Sequence, residues 1–139
     1  DFLDVRRRAG LLFQDADDQL FCPTVLDDVA FGPLNLGMSP DEARTAACNA
    51  LDAVGLPGME ERITYRLSGG EKRLVALAGV LAMQPDALLL DEPTAGLDEE
   101  HRGRLLDVLG DLPQAMLIVS HDAIFLSQLA NCARKLKAV

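Results

Sequence analysis

Two short apolar runs constrain this chain more than anything else in it: ALLLD at residues 87–91 and AMLIVS at 115–120. Between them lies DEEHRGRLLDVLGDLP, residues 98–113. Asp98 is a good helix cap, and the apolar spacing that follows suits a helix of about twelve residues ending near Gly110. A strand, a helix and a second strand of this kind form a crossover unit, because parallel strands need a long connection between them. The expectation is an α/β chain: a parallel sheet with helices on its faces. Continuous apolar runs suit strands buried on both faces.

The rest of the sequence extends that pattern. RAGLLFQ, residues 8–14, reads as a further strand, with Arg6, Arg7 and Arg8 as its solvated end. Gly32, Pro33 and Gly37 break up residues 29–38, which read as a connector or a weak helix end. Ser39-Pro40-Asp41-Glu42 is a capping box with proline at the first helical position. Ala43, Ala46, Ala47, Ala50, Leu51 and Val54 then follow the spacing of one buried helix face, and Gly55 ends it. Ser68-Gly69-Gly70-Glu71 repeats the S-x-x-E signal, so a helix begins at Ser68 and runs to about Met83, closed by Pro85. Asp122 caps a last helix through Leu129, and residues 133–139 read as a final strand.

At 139 residues, 49% apolar and 4% aromatic, the chain suits one domain with an aliphatic core. A formal charge of −9 argues against nucleic acid as a partner, since phosphates need a lysine and arginine surface. Cys22, Cys48 and Cys132 are scattered, with no CxxC, which suggests buried thiols in a reducing cytoplasm. The opening residues have no apolar core of a secretory signal, and no apolar run approaches the roughly 20 residues of a membrane span.

Four polar residues each follow or end an expected strand: Gln14, Asp91, Glu92 and His121. In open parallel sheets, ligands collect at the carboxyl ends of the strands. Asp91 is placed to hold Mg²⁺, Glu92 to deprotonate a water, and His121 to reach a terminal phosphate oxygen. Ser68, Gly69 and Gly70 open a helix, where free N–H groups and the dipole favour an anion. Each feature also has a plain structural reading: acids ending a strand, a surface histidine, an ordinary helix cap. Their convergence is what suggests a phosphate site.

The pattern resembles the ATP-binding-cassette (ABC) ATPases, and the resemblance covers essentially the whole chain. LSGGEKR looks like their signature loop, ALLLDEPTAGLD like the Walker B strand and D-loop, IVSHD like the switch histidine, and LLFQD like the Q-loop. FQDADDQLFCPTVLDDVAFGPLNLG further resembles the ATPase subunits of energy-coupling-factor importers, including cobalt and nickel uptake systems. Ala16 stands where that group commonly shows proline.

The resemblance implies a partial P-loop NTPase fold: residues 1–21 as Q-loop strand and loop, 22–84 as a helical subdomain with the signature motif, and 85–139 as the rest of the core. It implies ATP and Mg²⁺ as ligands. Asp91 would hold Mg²⁺, Gln14 would touch the Mg²⁺ or the attacking water and sense the membrane partner, Glu92 would be the general base, and His121 would contact the γ-phosphate. Ser68, Gly69 and Gly70 would bind the γ-phosphate of ATP held by a second ATPase subunit, and Asp98 would communicate across that interface. The helical subdomain would dock a transmembrane subunit, making the protein peripheral on the cytoplasmic face of the membrane.

One element of the family pattern is missing. The sequence contains no G-x-x-x-x-G-K-S/T loop, whose amides and lysine hold the phosphates, and it reads as the C-terminal part of a cassette. Very weak ATP affinity and negligible hydrolysis are expected of the 139 residues alone. A non-catalytic module that binds a membrane subunit or an intact cassette is the competing reading; a cassette of DNA repair or translation fits the acidic charge less well. The resemblance also implies the strand order 11–13, 87–91, 115–120, with an exposed apolar edge at 115–120 that invites self-association.

Overall fold

The computed structural model describes residues 2–134. Three parallel strands, β1 (Ala9–Leu12), β2 (Ala87–Asp91) and β3 (Ala115–Val119), form the sheet in the order β1-β2-β3. The register pairs Leu11 with Leu89 and Leu89 with Leu117, and Leu12 with Leu90 and Leu90 with Ile118. The order and the class are those expected from the sequence. The expected strand at 133–139 falls largely outside the described residues.

Six α-helices accompany the strands among the described residues: α1 (Phe2–Arg8), α2 (Val25–Asn35), α3 (Pro40–Ala53), α4 (Gly69–Ala82), α5 (Glu99–Asp111) and α6 (Ala123–Leu129). Ser39 and Ser68 both close full capping boxes with Glu42 and Glu71, as the S-x-x-E signals require. Asp98 accepts from the His101 amide at 2.9 Å and Asp122 from the Phe125 amide at 2.9 Å, so both cap their helices. Helices α2, α3 and α4 pack against one another. Small Ala43, Ala47 and Ala50 on the buried face of α3 allow that close approach.

Four expectations are corrected. Residues 29–38 are not mainly a connector: α2 runs from Val25 to Asn35, through Gly32 and Pro33. Thr24 caps its start, and Pro33 comes late enough that the helix ends soon after its missing N–H. Arg6, Arg7 and Arg8 end helix α1 rather than a strand, although they are solvated as expected. The cysteines are not all buried: Cys22 and Cys48 are half-buried and Cys132 is exposed.

The fourth correction concerns the sheet, which is not covered on both faces by the described residues. Leu12, Leu88 and Leu90 are at most 1% exposed, while Leu11, Leu89 and Leu117 are 45%, 38% and 63% exposed. Helix α4 lies against β1 on the closed face. A Cβ at Gly10 would stand 2.3 Å from Val80 Cγ1, so only glycine lets the helix lie this near β1. Each fully buried leucine contributes about 1.5–3 kcal/mol, and the open leucine row, 38–63% exposed, forgoes roughly half of that. The apolar, exposed character expected for 115–120 is present in Leu117 and in Val119, which is 48% exposed.

Candidate functional site

The carboxyl end of the sheet gathers the polar residues singled out in the sequence. Gln14 follows β1 after Phe13, Asp91 ends β2, and the N-terminus of α4 lies across from both. Gln14, Asp91 and Gly69 line one cleft of about 870 Å³, together with Asp15, Lys72, Arg73 and Gly96. Asp91 and Gln14 offer oxygen donors and are exposed. That set fits a small, hard cation that keeps several waters, as Mg²⁺ does. It does not amount to a cage: no group of three metal-ligating side chains occurs among the described residues.

Glu92 and His121 form a second, contiguous group. His121 Nδ1 lies 2.8 Å from Glu92 Oε1, and the His121 amide donates to the same oxygen at 3.2 Å. The Glu92 amide donates to the Val119 carbonyl at 2.7 Å, which pins the end of β2 to the end of β3. This geometry carries local strain, because Glu92 has φ +44 without being glycine. The side-chain hydrogen bond from His121 holds the Glu92 carboxyl below its ordinary range, and the same bond raises His121 above its ordinary value. Glu92 is therefore an ionised acceptor near neutral pH, held in place by a ring that is 85% exposed.

His121 is itself steadied from behind. Arg102 on α5 donates through Nε and Nη2 to the two oxygens of Asp122, at 2.9 and 3.1 Å. That fork lowers the Asp122 pKa to about 2. Asp122 thus caps α6 and anchors the segment carrying His121 at the same time.

The three residues that open α4 differ in their surroundings. Ser68 Oγ accepts from the Glu71 amide at 3.2 Å, and the Ser68 amide donates to Glu71 Oε2 at 2.8 Å. Gly69 has open space where a Cβ would stand. Gly70 does not: its Cβ would stand 2.3 Å from the His101 ring, so a glycine is needed there for internal packing. The same ring contacts Asp98 through Nδ1 at 2.7 Å. Asp98 is held below the usual carboxylate range by the His101 amide first and by the ring second.

Sequence reasoning missed Arg73, His101 and Arg102. Arg73 had a signal: with Gly70, Leu74 and Leu77 it falls on the buried face of α4, where a cation needs partners. The Asp98–His101 spacing of three residues was a weaker one. Nothing local pointed to Arg102, whose partner is twenty residues away.

The family model described as ABC transporter matches residues 2–95. The chain belongs to the ABC transporter family. A putative ABC transporter ATP-binding protein of Nitratidesulfovibrio vulgaris is 61% identical over 124 residues, covering 89% of this chain and 45% of that protein. The cobalt import ATP-binding protein CbiO of Rhodobacter capsulatus is 51% identical over 134 residues, covering 94% of this chain and 48% of that protein. Among solved structures, the cassette MJ0796, described as a dimeric post-hydrolysis state bound to ADP and Pi, superposes with a TM-score of 0.80 at 26% identity. It covers 91% of this chain and 58% of that one. The chain therefore spans about half the length of the ABC relatives it matches, and its three-stranded sheet with flanking helices is part of the P-loop NTPase fold of ABC ATPases.

Proposed function

We propose that this chain is part of the ATP-hydrolysing subunit of an importer of the energy-coupling-factor, cobalt type, which couples ATP hydrolysis to uptake of a metal ion or vitamin. The observation that carries the reading is the convergence at the sheet end: Gln14, Asp91 and Gly69 around one cleft, with Glu92 hydrogen-bonded to His121 beside it. The cobalt import relative supports the importer type.

Each residue has a role that its geometry suits. Glu92, ionised and fixed by His121, accepts the proton of the attacking water as its oxygen approaches the γ-phosphorus. His121, carrying a proton through its bond to Glu92, turns its exposed ring edge to a γ-phosphate oxygen. Asp91 would hold Mg²⁺, and Gln14 would touch that ion or the attacking water and sense the membrane partner. When bound, Mg²⁺ supplies neutralisation of the phosphate charge. Ser68 and Gly69 offer the N-terminus of a 14-residue helix to the γ-phosphate of ATP held by a second ATPase subunit. Gly70 adds its amide there, its missing side chain leaving room for His101. Asp98, capping the next helix, communicates across that interface.

A transmembrane subunit docks on the helical subdomain, residues 22–84, so the protein works peripherally at the inner face of the membrane. Among the described residues no helix is long and apolar enough to cross a membrane. Exposed Phe21 and Phe31 stack edge-to-face at 4.7 Å beside a groove of about 780 Å³ that includes Leu36 and Met83. An apolar helix end from a membrane subunit suits such a groove.

The 139 residues carry no G-x-x-x-x-G-K-S/T loop. By themselves they bind Mg-ATP weakly and do not turn it over; calorimetry with Ser68→Ala alongside measures this. The exposed aromatic pair also favours the second reading, a non-catalytic module that binds a membrane subunit or an intact cassette. Glu92→Gln in the assembled ATPase separates the two. Retained ATP with hydrolysis suppressed supports the catalytic reading; near-normal turnover overturns the base assignment.

A further inference from the structure

Arg73 is only 4% exposed, yet among the described residues it has no carboxylate in hydrogen-bond contact. Its guanidinium spends its donors on backbone carbonyls. Nη1 donates to Phe13 O at 2.6 Å, and Nη2 donates to Gln14 O and, at 3.4 Å, to Ala95 O. Nε has no partner among the described residues. The neighbouring Lys72 donates to Asp17 Oδ1 at 2.6 Å. Two consecutive side chains of α4 therefore grip the segment that carries Gln14, and one of them also reaches the loop after Glu92.

A buried cation without a paired anion is costly. Burial depresses the Arg73 pKa, with only a lesser opposing influence from Asp15. An apolar side chain would fill the same space without that cost. What an apolar residue cannot do is join three segments through one planar fork, and lysine, whose three donors all sit on one nitrogen, does not reproduce that fork.

We propose that Arg73 is a positioning residue that fixes the carbonyls on either side of Gln14 to the helix opened by Ser68, so that α4 and Gln14 move as one body. The proposal rests on the roles given above to Gln14 and Ser68. The alternative is that Arg73 only fills the core.

The test uses the assembled ATPase with Arg73→Met, Arg73→Lys and Gln14→Ala. Hydrogen exchange of the amides at 13–18 rises by about tenfold or more in Arg73→Met, the scale of one lost charged hydrogen bond, while amides of α3 keep their protection. Arg73→Lys, which keeps the charge and should fold if Met does not, gives a smaller rise in the same peptides. The Mg²⁺ concentration for half-maximal hydrolysis rises in Arg73→Met and in Gln14→Ala, and the double variant is no worse than Gln14→Ala. Unchanged exchange at 13–18 in both Arg73 variants overturns the proposal, and so do multiplying losses in the double variant. A normal Mg²⁺ dependence in Gln14→Ala overturns instead the role given to Gln14, and the exchange result still decides the grip of Arg73.

Discussion

Glu92 and His121 lie 29 residues apart in the chain and meet at 2.8 Å across the ends of two neighbouring parallel strands. Glu92 reaches this position with a left-handed backbone, φ +44, and with its amide bonded to the Val119 carbonyl. The contact is therefore a product of the β2–β3 register, in which Asp91 pairs with Val119.

The pair sets a pH dependence. His121 has a raised folded-state pKa, so its stabilising contribution is present at low pH and lost as pH rises through that raised value. Glu92 has a lowered one, so its contribution is present above the unfolded carboxylate value and lost as pH falls through the folded value. The ion pair persists in the window between them. NMR titration of His121 should give a midpoint above the usual 6.5, and Glu92→Gln should bring it down. An unmoved midpoint in Glu92→Gln removes the pairing.

Gly70→Ala sets two effects against each other. Alanine gains up to about 1 kcal/mol of helix propensity over glycine. The new Cβ, 2.3 Å from the His101 ring, costs about 1–3 kcal/mol through overpacking. The ring is tied to Asp98, so the clash should win and denaturant melts should show a loss. Adding Gly70→Ala to His101→Ala should instead stabilise. A loss of equal size in both backgrounds would falsify the steric account.

Leu117→Lys should leave stability within about 0.5 kcal/mol, because the side chain is 63% exposed. The exposed strand is expected to let the 139-residue chain associate, and lysine, which blunts an apolar edge, should reduce that association. Sedimentation velocity at several concentrations measures both species. Equal association in the two proteins would mean that the leucine row is not the contact.

Asp28 accepts from the Phe21 amide at 3.1 Å and the Cys22 amide at 2.8 Å, and burial raises its pKa despite those bonds. Asp28→Leu leaves both amides without this acceptor and should cost about 1–3 kcal/mol. Asp28→Asn keeps one acceptor and should cost less. Thermal or urea unfolding of both variants checks the order.

The sequence by itself determined what is local or repeats at a fixed spacing. Ser39, Ser68, Asp98 and Asp122 announce helix starts because a cap is a contact between residues three apart. The runs at 87–91 and 115–120 announce strands because a sheet interior accepts little else. Gln14, Asp91, Glu92 and His121 were legible as a group because parallel strands bring their carboxyl ends together. Only the tertiary structure decided that Gly70 leaves room for His101, that Arg102 anchors Asp122, and that Arg73 spans three segments, since these contacts join groups far apart in the chain or depend on rotamer direction. It also decided which leucines are exposed. An apolar run reads the same whether one face or both are covered; Leu88 and Leu89 differ because α4 and its neighbours close only one side.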